Sequence, residues 1–397
     1  MIKFLRFSLF ALALTLIFIS CNQDPTSVGS NLIPAQDKIG FKQLDSYQTN
    51  LTQRTSYFEN KVKLGTANYV LLGKNSYAES SILLLYNIYL PDSLLARIKT
   101  GELIVTSATM NMIPRYTIGD KSAYFDFSVY QIRSLWSEIG FDRDSLSQLN
   151  YDANDVKSGL TTTDTTITFN LSTNVVSEWL QRKADSTSAP KNYGLFFKPK
   201  PSSQKILGFR AIEVTSATNE SLLHIILERP TTGYKDTVIV SPYEDVHVMT
   251  GSLPPVSSNF YLEGSLTLQS KLFFDLTQLP KNIIISKATL SLNVDSTKTL
   301  DGSLQSDSVL VRVLADSSLN KYTRDSLVTT IVERKGNIFS GDIAWMVQKW
   351  LNGDANEGVI LSLTDETTSA ARISFYGSAD PNKSLRPKLN IIYLQKQ

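Results

Sequence analysis

The chain has 397 residues, of which 42% are hydrophobic and 19% charged. This composition is typical of packed domains and excludes a disordered, highly charged protein, and the length corresponds to about two domains. The 39 basic residues nearly balance the 37 acidic ones, so the basic surplus of phosphate-contacting proteins is missing and we expect no nucleic-acid partner. One cysteine excludes a disulfide framework, and two histidines are too few for the common zinc sites.

Residues 1–20 predict a secretory signal peptide. Lys3 and Arg6 precede an apolar run, residues 7–19, that is too short to cross a bilayer. Ser20 and Cys21 follow this run and resemble a bacterial lipobox, which implies cleavage before Cys21 and acylation of its thiol. Acyl chains would hold the mature protein at a membrane. An ordinary signal peptide with a chance cysteine, or an uncleaved anchor, is the alternative.

The polar stretch that follows Cys21 contains glycine and proline, which predicts a flexible tether over residues 21–35. Residues 27–39 resemble the start of surface lipoproteins of Gram-negative bacteria. The expected location is therefore the cell envelope, as an outer-membrane lipoprotein that faces the cell surface or the periplasm.

The remaining chain predicts an internal repeat of two units. Similar segments occur in the same order in both halves, namely 107–112 (SATMNM) with 287–292 (KATLSL), 174–180 (NVVSEWL) with 345–351 (WMVQKWL), 193–197 (YGLFF) with 357–361 (EGVIL), and 223–227 (LHIIL) with 389–393 (LNIIY). Residues 137–166 are the simplest place for an insertion in the first unit. We expect the units to span residues 36–229 and 235–397, with a first strand of the second unit near residues 237–240.

One segment in each unit predicts a helix. Ser172 or Thr173 is a candidate cap for a helix that carries Trp179, and Asp342 for one that carries Trp350. The other segments are short β-branched or aromatic runs that alternate with polar residues and end at Gly, Pro, Asn or Ser. The sequence therefore predicts an all-β protein of two tandem jelly-roll-like β-sandwich domains, each with one short helix.

Several segments of the second unit resemble the DNRLRE domain. They are 271–276 (KLFFDL), 285–292, the helix with Trp350, 352–359 (NGDANEGV) and 386–393 (RPKLNIIY). The resemblance implies a jelly-roll-like sandwich of bacterial surface proteins, some members of which act as carbohydrate-binding modules. The first unit matches more loosely, and the arginine that the family places before the first of these strands is absent from both units.

Catalytic and metal sites have little support. His224 lies in an alternating strand, where its counterpart is Asn390, and is expected on the solvent face. His247 has Asp245 on its own face and Glu244 on the other, so at most two ligands lie close in sequence. No nucleophile elbow, zinc-protease or phosphate-loop motif occurs. We therefore expect a protein that is not an enzyme and has no metal site of this kind.

Calcium is the one cofactor left open. Residues 152–155 and 354–357 carry paired acids, but neither segment has the fifth-position ligand or the sixth-position glycine of an EF-hand. Asn/Asp turns explain both segments more simply. A structural calcium ion stays an alternative.

Exposed aromatic rings are the expected ligand contacts, because they stack on the apolar faces of sugars. The candidates are Trp136 and Tyr151 in the first unit and Tyr322 and Tyr376 in the second. The sequence thus favours a lipid-anchored surface protein that binds an extracellular polysaccharide. A structural or partner-docking envelope lipoprotein with no glycan ligand is the alternative.

Overall fold

A computed structural model describes residues 39–60, 64–65, 67–212, 221–255, 257–266, 268–303, 306–322 and 329–396. The predicted signal peptide, Cys21 and the tether lie outside these residues. The described chain is mostly β, with 48% strand and 11% helix, and its antiparallel sheets include a curled half-barrel. The predicted predominance of β-structure is therefore confirmed.

The N-terminal half of the chain contains fourteen strands in the described residues. They are β1 (Ile39–Asp45), β2 (Gln53–Glu59), β3 (Tyr69–Lys74), β4 (Ala78–Tyr86), β5 (Ile104–Met112), β6 (Pro114–Ile118), β7 (Phe127–Gln131), β8 (Lys157–Thr162), β9 (Ile167–Leu171), β10 (Leu195–Pro199), β11 (Ile206–Arg210), β12 (Ser221–Arg229), β13 (Tyr234–Val240) and β14 (Pro242–Gly251). Three helices interrupt them, α1 (Asp92–Lys99), α2 (Arg143–Ser147) and α3 (Thr173–Ala184).

The C-terminal half continues the same alternation of short strands. It contains β15 (Asn259–Glu263), β16 (Leu268–Phe274), β17 (Ile284–Asn293), β18 (Ser308–Asp316), β19 (Lys321–Tyr322), β20 (Thr329–Lys335), β21 (Ile338–Asp342), β22 (Val359–Leu363), β23 (Arg372–Tyr376) and β24 (Lys388–Lys396). Helix α4 (Ala344–Leu351) and a 3₁₀ turn (Lys383–Leu385) complete it.

The strands form three sheets. A seven-stranded sheet has the order β6-β11-β3-β4-β10-β7 with β14 on β4, and a five-stranded sheet has the order β13-β12-β5-β9-β8. We call the body built from these two sheets, residues 64–251, the first lobe. The third sheet contains all the other strands, and residues 39–60 with 257–396 form the second lobe. Each lobe has its own large apolar core.

Strand pairing crosses the boundaries expected from the sequence. Strand β1 lies on β24 and β2 lies on β16, so the N-terminal segment completes the sheet of the second lobe. Strands β13 and β14 pair with β12 and β4, so they belong to the sheets of the first lobe. The predicted strand at residues 237–240 exists, but it extends the first lobe rather than starting the second. The expected domain ranges, residues 36–229 and 235–397, stay a prediction. The sheet of each lobe nevertheless includes strands from outside the range expected for it.

The predicted helices occur where the repeat placed them. In α3 the side chains of Val175, Val176, Trp179 and Leu180 are buried. The N-cap of α4 is Ile343 and not the predicted Asp342, whose carboxylate precedes the cap and accepts from the backbone N–H of Ala344 at 2.9 Å. The expectation of one helix in each unit was wrong for the first, since α1 and α2 are additional. They are short and bury little, so periodicity gave no signal for them.

The two lobes repeat one local geometry in detail. The amide of Asn192 donates to the backbone oxygen of Tyr86 at 2.7 Å and accepts from the N–H of Gly194 at 2.8 Å. In the second lobe Asn356 donates to the backbone oxygen of Phe274 at 2.9 Å and accepts from the N–H of Gly358 at 3.1 Å. Residues 192–194 and 356–358 therefore occupy equivalent positions in their lobes.

Direct contacts join the lobes. Arg143 of the first lobe is 2.9 Å from Glu59 of the second, and the hydroxyl of Tyr77 donates to the backbone oxygen of Ala370 at 2.7 Å. An apolar cluster that includes Met249 and Leu266 fills the space between them. Among the helices in the described ranges, none is long and apolar enough to span a bilayer.

Candidate binding pocket

A pocket of about 330 Å³ opens in the first lobe where strand β4 ends. This volume falls within the range of sites for small ligands. Segments far apart in sequence meet here, namely the end of β4, the last turns of α3, the chain before β10 and the start of β14. The pocket is lined by Leu85, Tyr86, Asn87, Ile88, Trp179, Arg182, Lys183, Lys191, Asn192 and Tyr243.

The apolar part of the pocket belongs to the core of the first lobe. Tyr86 is fully buried, its hydroxyl donates to the backbone oxygen of Ser221 at 3.1 Å, and burial raises its pKa well above the ordinary value. Trp179 is 2% exposed. Its indole N–H has no acceptor among the described residues. Asn192 holds the end of β4 in place through its bond to Tyr86. This part of the pocket is therefore preformed.

Two exposed tyrosines belong to this region, Tyr243 in the pocket lining and Tyr89 in contact with the lining residues Asn87 and Lys183. Tyr243 lines the pocket with 58% of its surface exposed, because the strand pairing shifts register between Pro242 and Glu244 and leaves Tyr243 in a bulge. Tyr89 is 76% exposed, and its hydroxyl accepts from the amide of Asn87 at 2.6 Å. Rings held in this way can stack on a planar or apolar ligand face.

Positive charge dominates the polar part of the pocket. Arg182, Lys183 and Lys191 line it, and the described lining residues include no aspartate or glutamate. The ammonium group of Lys183 donates to the amide oxygen of Asn87 at 2.8 Å and lies 5.2 Å from the ring centroid of Tyr89. These groups can donate several hydrogen bonds at once to oxygen atoms of a ligand.

The equivalent place in the second lobe has the opposite charge. The pairing of β16 with β22 makes Phe274 the counterpart of Tyr86, so Asp275 takes the place of Asn87. Helix α4 ends at Leu351, before the turn that would correspond to Arg182 and Lys183. The residue four positions after Trp350 is Asp354, which is paired with Lys349. The cationic pocket is therefore a property of the first lobe.

The sequence-predicted aromatic residues lie elsewhere. Trp136 is only 8% exposed, and its indole donates to the backbone oxygen of Tyr193 at 2.7 Å. Its ring packs against Phe141, with the centroids 6.0 Å apart. The expected exposure of Trp136 was therefore wrong. The insertion folds back over the outer face of the seven-stranded sheet and buries the ring there.

Tyr151 belongs to the same apolar cluster as Trp136 and is half-buried, with its ring 5.0 Å from that of Phe196. Tyr376 is half-buried at the end of β23, in the other lobe. The side chain of Tyr322 lies outside the described part of the structure. The structure thus brings Trp136 and Tyr151 together in a packed cluster and separates both from Tyr376. The ligand-binding role of the four residues stays a prediction.

The two histidines have structural surroundings. His224 is half-buried in β12, opposite Thr109 and Ile239. His247 is fully buried, with its Nε2 3.3 Å from the hydroxyl oxygen of Ser265. Burial lowers the pKa of His247 to about 3, so the ring is neutral at ordinary pH. It lines a small space of about 130 Å³ between the lobes.

The acidic segments considered for calcium have protein partners. Asp152 accepts from Nε and Nη2 of Arg133, with a shortest distance of 2.7 Å, and Asp155 accepts from the backbone N–H groups of Val129 and Lys157. Asp354 is paired with Lys349. Within the described ranges, no three His, Cys, Asp or Glu side chains are grouped as metal ligands.

Sequence reasoning missed Tyr89, Tyr243 and the cations of α3. A signal did exist, since Arg182 and Lys183 extend the predicted helix beyond its counterpart in the second unit. Their approach to Tyr243 depends on the pairing of β14 with β4, which the sequence pattern does not contain. When the chain was compared with protein-family models, curated proteins and solved structures, no match was found.

Proposed function

We propose that this protein is a lipid-anchored cell-surface binding protein that holds an extracellular polysaccharide in the pocket of the first lobe. The observation that carries the proposal is the combination of exposed tyrosine rings, amides and three cations around one preformed cavity. The ligand binds at equilibrium without being turned over. Acyl chains on Cys21 hold the protein at the outer membrane.

The chemistry of the pocket suits a sugar chain. Tyr243 and Tyr89 offer ring faces for stacking on a pyranose, and Asn87 offers an amide for its hydroxyl groups. Arg182, Lys183 and Lys191 favour sugars with carboxylate or sulfate groups over neutral ones, because an ionised acceptor strengthens each hydrogen bond. A pocket that is open at the surface suits one or two sugar residues of a longer polysaccharide.

The fold belongs to the same proposal. Two β-rich lobes with a repeated local geometry, the first with two sheets and the second with one, are compatible with two tandem jelly-roll-like domains of the DNRLRE type. The rigid core below the pocket would then present the ligand-binding side chains, as in carbohydrate-binding modules.

Titration of the purified protein against a panel of neutral and acidic polysaccharides tests the binding role. We expect saturable binding that weakens at least tenfold in Tyr243→Ala and in Lys183→Gln. The matched control is Tyr234→Ala, because Tyr234 is 55% exposed on β13 and lies outside the pocket lining. Equal binding by Tyr243→Ala and Tyr234→Ala, or no saturable binding to any polysaccharide, would overturn the proposal.

Replacement of Cys21 tests the anchor. Cys21→Ser removes the only thiol that can be acylated, so the protein should leave the membrane fraction or stay unprocessed. Metabolic labelling with a fatty acid provides the direct readout, and Ser20→Ala serves as a neighbouring control that keeps the thiol. Labelled, membrane-bound Cys21→Ser protein would contradict the lipobox prediction.

A partner-docking envelope lipoprotein is the second candidate, and one observation favours it. Leu135, just before the insertion, and Ile139, near its start, are 78% and 83% exposed, although Trp136 between them is buried. Exposed apolar side chains on a fixed loop can insert into another protein. Co-purification of one stoichiometric protein that is lost in Leu135→Ser with Ile139→Ser would support this function instead.

A further inference from the structure

An exposed apolar row crosses three strands of the second lobe. Phe41 of β1 lies directly opposite Leu394 of β24, which in turn lies opposite Ile284 of β17. Directly paired residues point to the same face of a sheet. Phe41 is 73% exposed and Ile284 is 64% exposed, while Leu394 between them is half-buried. The row is therefore on the outer face of the sheet.

Polar neighbours frame this row. Lys287 and Gln43 lie on either side of Ile392 on the outer face, and both are exposed. Ile392 is half-buried and extends the apolar surface along β24. An open groove on the other side of Ile284 continues along α4 and includes Trp345.

The first lobe has charges at the same positions. The match of 223–227 with 389–393 makes Glu228 the counterpart of Leu394. Glu228 lies opposite Lys235 of β13 and Ile104 of β5, and its carboxylate is 3.4 Å from the ammonium group of Lys235.

Charged side chains, often in ion pairs, are the usual residues at solvent-exposed positions near the edge of a sheet. The second lobe replaces them with Phe41 and Leu394. This difference between equivalent positions points to a particular contact of the second lobe.

The row lies where the predicted tether enters the folded body. Strand β1 begins at Ile39, only 18 residues after Cys21. A flexible chain of this length has a root-mean-square span of about 25 Å and reaches about 60 Å when fully extended. A bilayer that holds the acyl chains of Cys21 is therefore always within reach of Phe41.

The size of the row also favours a tethered contact. A stable interface between two proteins buries well over about 1,000 Å² in total, which is more than a few side chains can supply. A surface already held nearby by a tether needs much less, because the second contact has a high effective concentration. Large apolar side chains beside a lysine such as Lys287 suit a surface that enters the headgroup region of a membrane.

We propose that the Phe41–Leu394–Ile284 row rests on the lipid bilayer surface, so that the second lobe faces the membrane. This inference depends on the proposed acylation of Cys21. In this arrangement the cationic pocket lies on the first lobe, which does not touch the membrane.

The test uses the full-length acylated protein in vesicles of phosphatidylethanolamine and phosphatidylglycerol. Acylation consumes the thiol of Cys21, so Ile284→Cys introduces the only free thiol for an environment-sensitive fluorophore. The matched control is Ile239→Cys in the first lobe, where the native side chain is 58% exposed. We expect the fluorophore on Ile284→Cys to shift to shorter wavelengths and to lose at least half its emission to nitroxide-labelled lipids. The fluorophore on Ile239→Cys should do neither.

A charge transplant provides the second variant. Phe41→Lys with Leu394→Glu copies the pair of the first lobe onto the row and should abolish the shift at Ile284→Cys while fatty-acid labelling stays complete. The same shift in the non-acylated Cys21→Ser form of the Ile284→Cys variant, in buffer without vesicles or detergent, would show that a second copy or another part of the chain covers the row, and would overturn the proposal. An unshifted Ile284→Cys fluorophore on acylated protein in vesicles would overturn it as well. Absence of fatty-acid labelling would instead refute the anchor, and this inference with it.

Discussion

The side-chain amide of Asn192 donates to the backbone oxygen of Tyr86 at 2.7 Å, where strand β4 ends. Tyr86 is fully buried, so this oxygen has no access to water. Gly194 binds the same asparagine and adopts a φ of 91° that brings its Cα close to the backbone of Leu84. The bond therefore fixes both the strand end and the loop that follows it.

Asn192→Ala should destabilise the first lobe by about 1–3 kcal/mol, because it leaves a buried carbonyl oxygen unpaired. Chemical denaturation provides the measurement. Asn192→Asp keeps the acceptor for Gly194 but removes the donor, and should lose most of the same stability. A change below about 0.5 kcal/mol in both variants would show that the bond contributes little.

The two related tryptophans should differ in their contribution to stability. Trp179 is 2% exposed in the core of the first lobe, so Trp179→Ala should cost about 3–5 kcal/mol. Trp350 is half-buried and packs against the core of the second lobe. Trp350→Ala should therefore cost less, about 1–2 kcal/mol. Thermal melting of the two variants checks the order, and equal losses would contradict this difference in burial.

The burial of His247 predicts that the folded protein loses stability in acid. Burial lowers the pKa of His247 to about 3, whereas an unfolded histidine titrates near 6.5. Between these values the unfolded chain binds one more proton than the folded chain, so stability falls as the pH drops from about 6.5 towards 3. The slope from this group is up to about 1.4 kcal/mol per pH unit.

Urea unfolding at a series of pH values measures the slope, and His247→Gln isolates the histidine from the carboxylates. The variant should show a shallower loss of stability on acidification, whatever its stability at pH 7. If stability fell equally with pH in the two proteins, His247 would bind a proton as readily in the folded state as in the unfolded state.

Because β1 and β2 belong to the sheet of the second lobe, we expect that residues 253–397 alone cannot fold. That fragment lacks β1 and β2, including Leu44 and Leu51 of the apolar core. It also exposes the edges of β16 and β24, which those strands cover.

A synthetic peptide of residues 39–60 should restore cooperative melting to the fragment, and a peptide with Leu44→Asp should not. Cooperative unfolding of the fragment without any peptide would show that the N-terminal strands are dispensable.

Periodicity predicted the local elements well, and particular residues show why. Ala108, Met110 and Met112 alternate with polar residues in the sequence, and all three are buried in β5. A buried face imposes a period of two on a strand, and this signal is local. The repeat likewise placed Gly194 and Gly358 at equivalent positions, because a tight backbone approach excludes a side chain at both.

Exposure of single aromatic residues was much less predictable. Trp136 lies in a polar stretch, Ser134–Glu138, that gives no sign of burial. Its ring is buried because the insertion packs on the outer face of a sheet made of distant strands. Tyr243 is exposed because β14 forms a bulge against β4. Both outcomes depend on contacts over more than fifty residues of chain, which a local pattern does not record.

Local pattern was enough to predict short alternating strands such as β5 and the two helices that carry Trp179 and Trp350. These features follow from side-chain size and polarity along a few neighbouring residues. Long-range pairing, by contrast, assigns β1 and β2 to the second lobe and β13 and β14 to the first. The choice of partner for an edge strand is made by backbone hydrogen bonds, which are the same for every residue type except proline, so the sequence pattern carries little of that information.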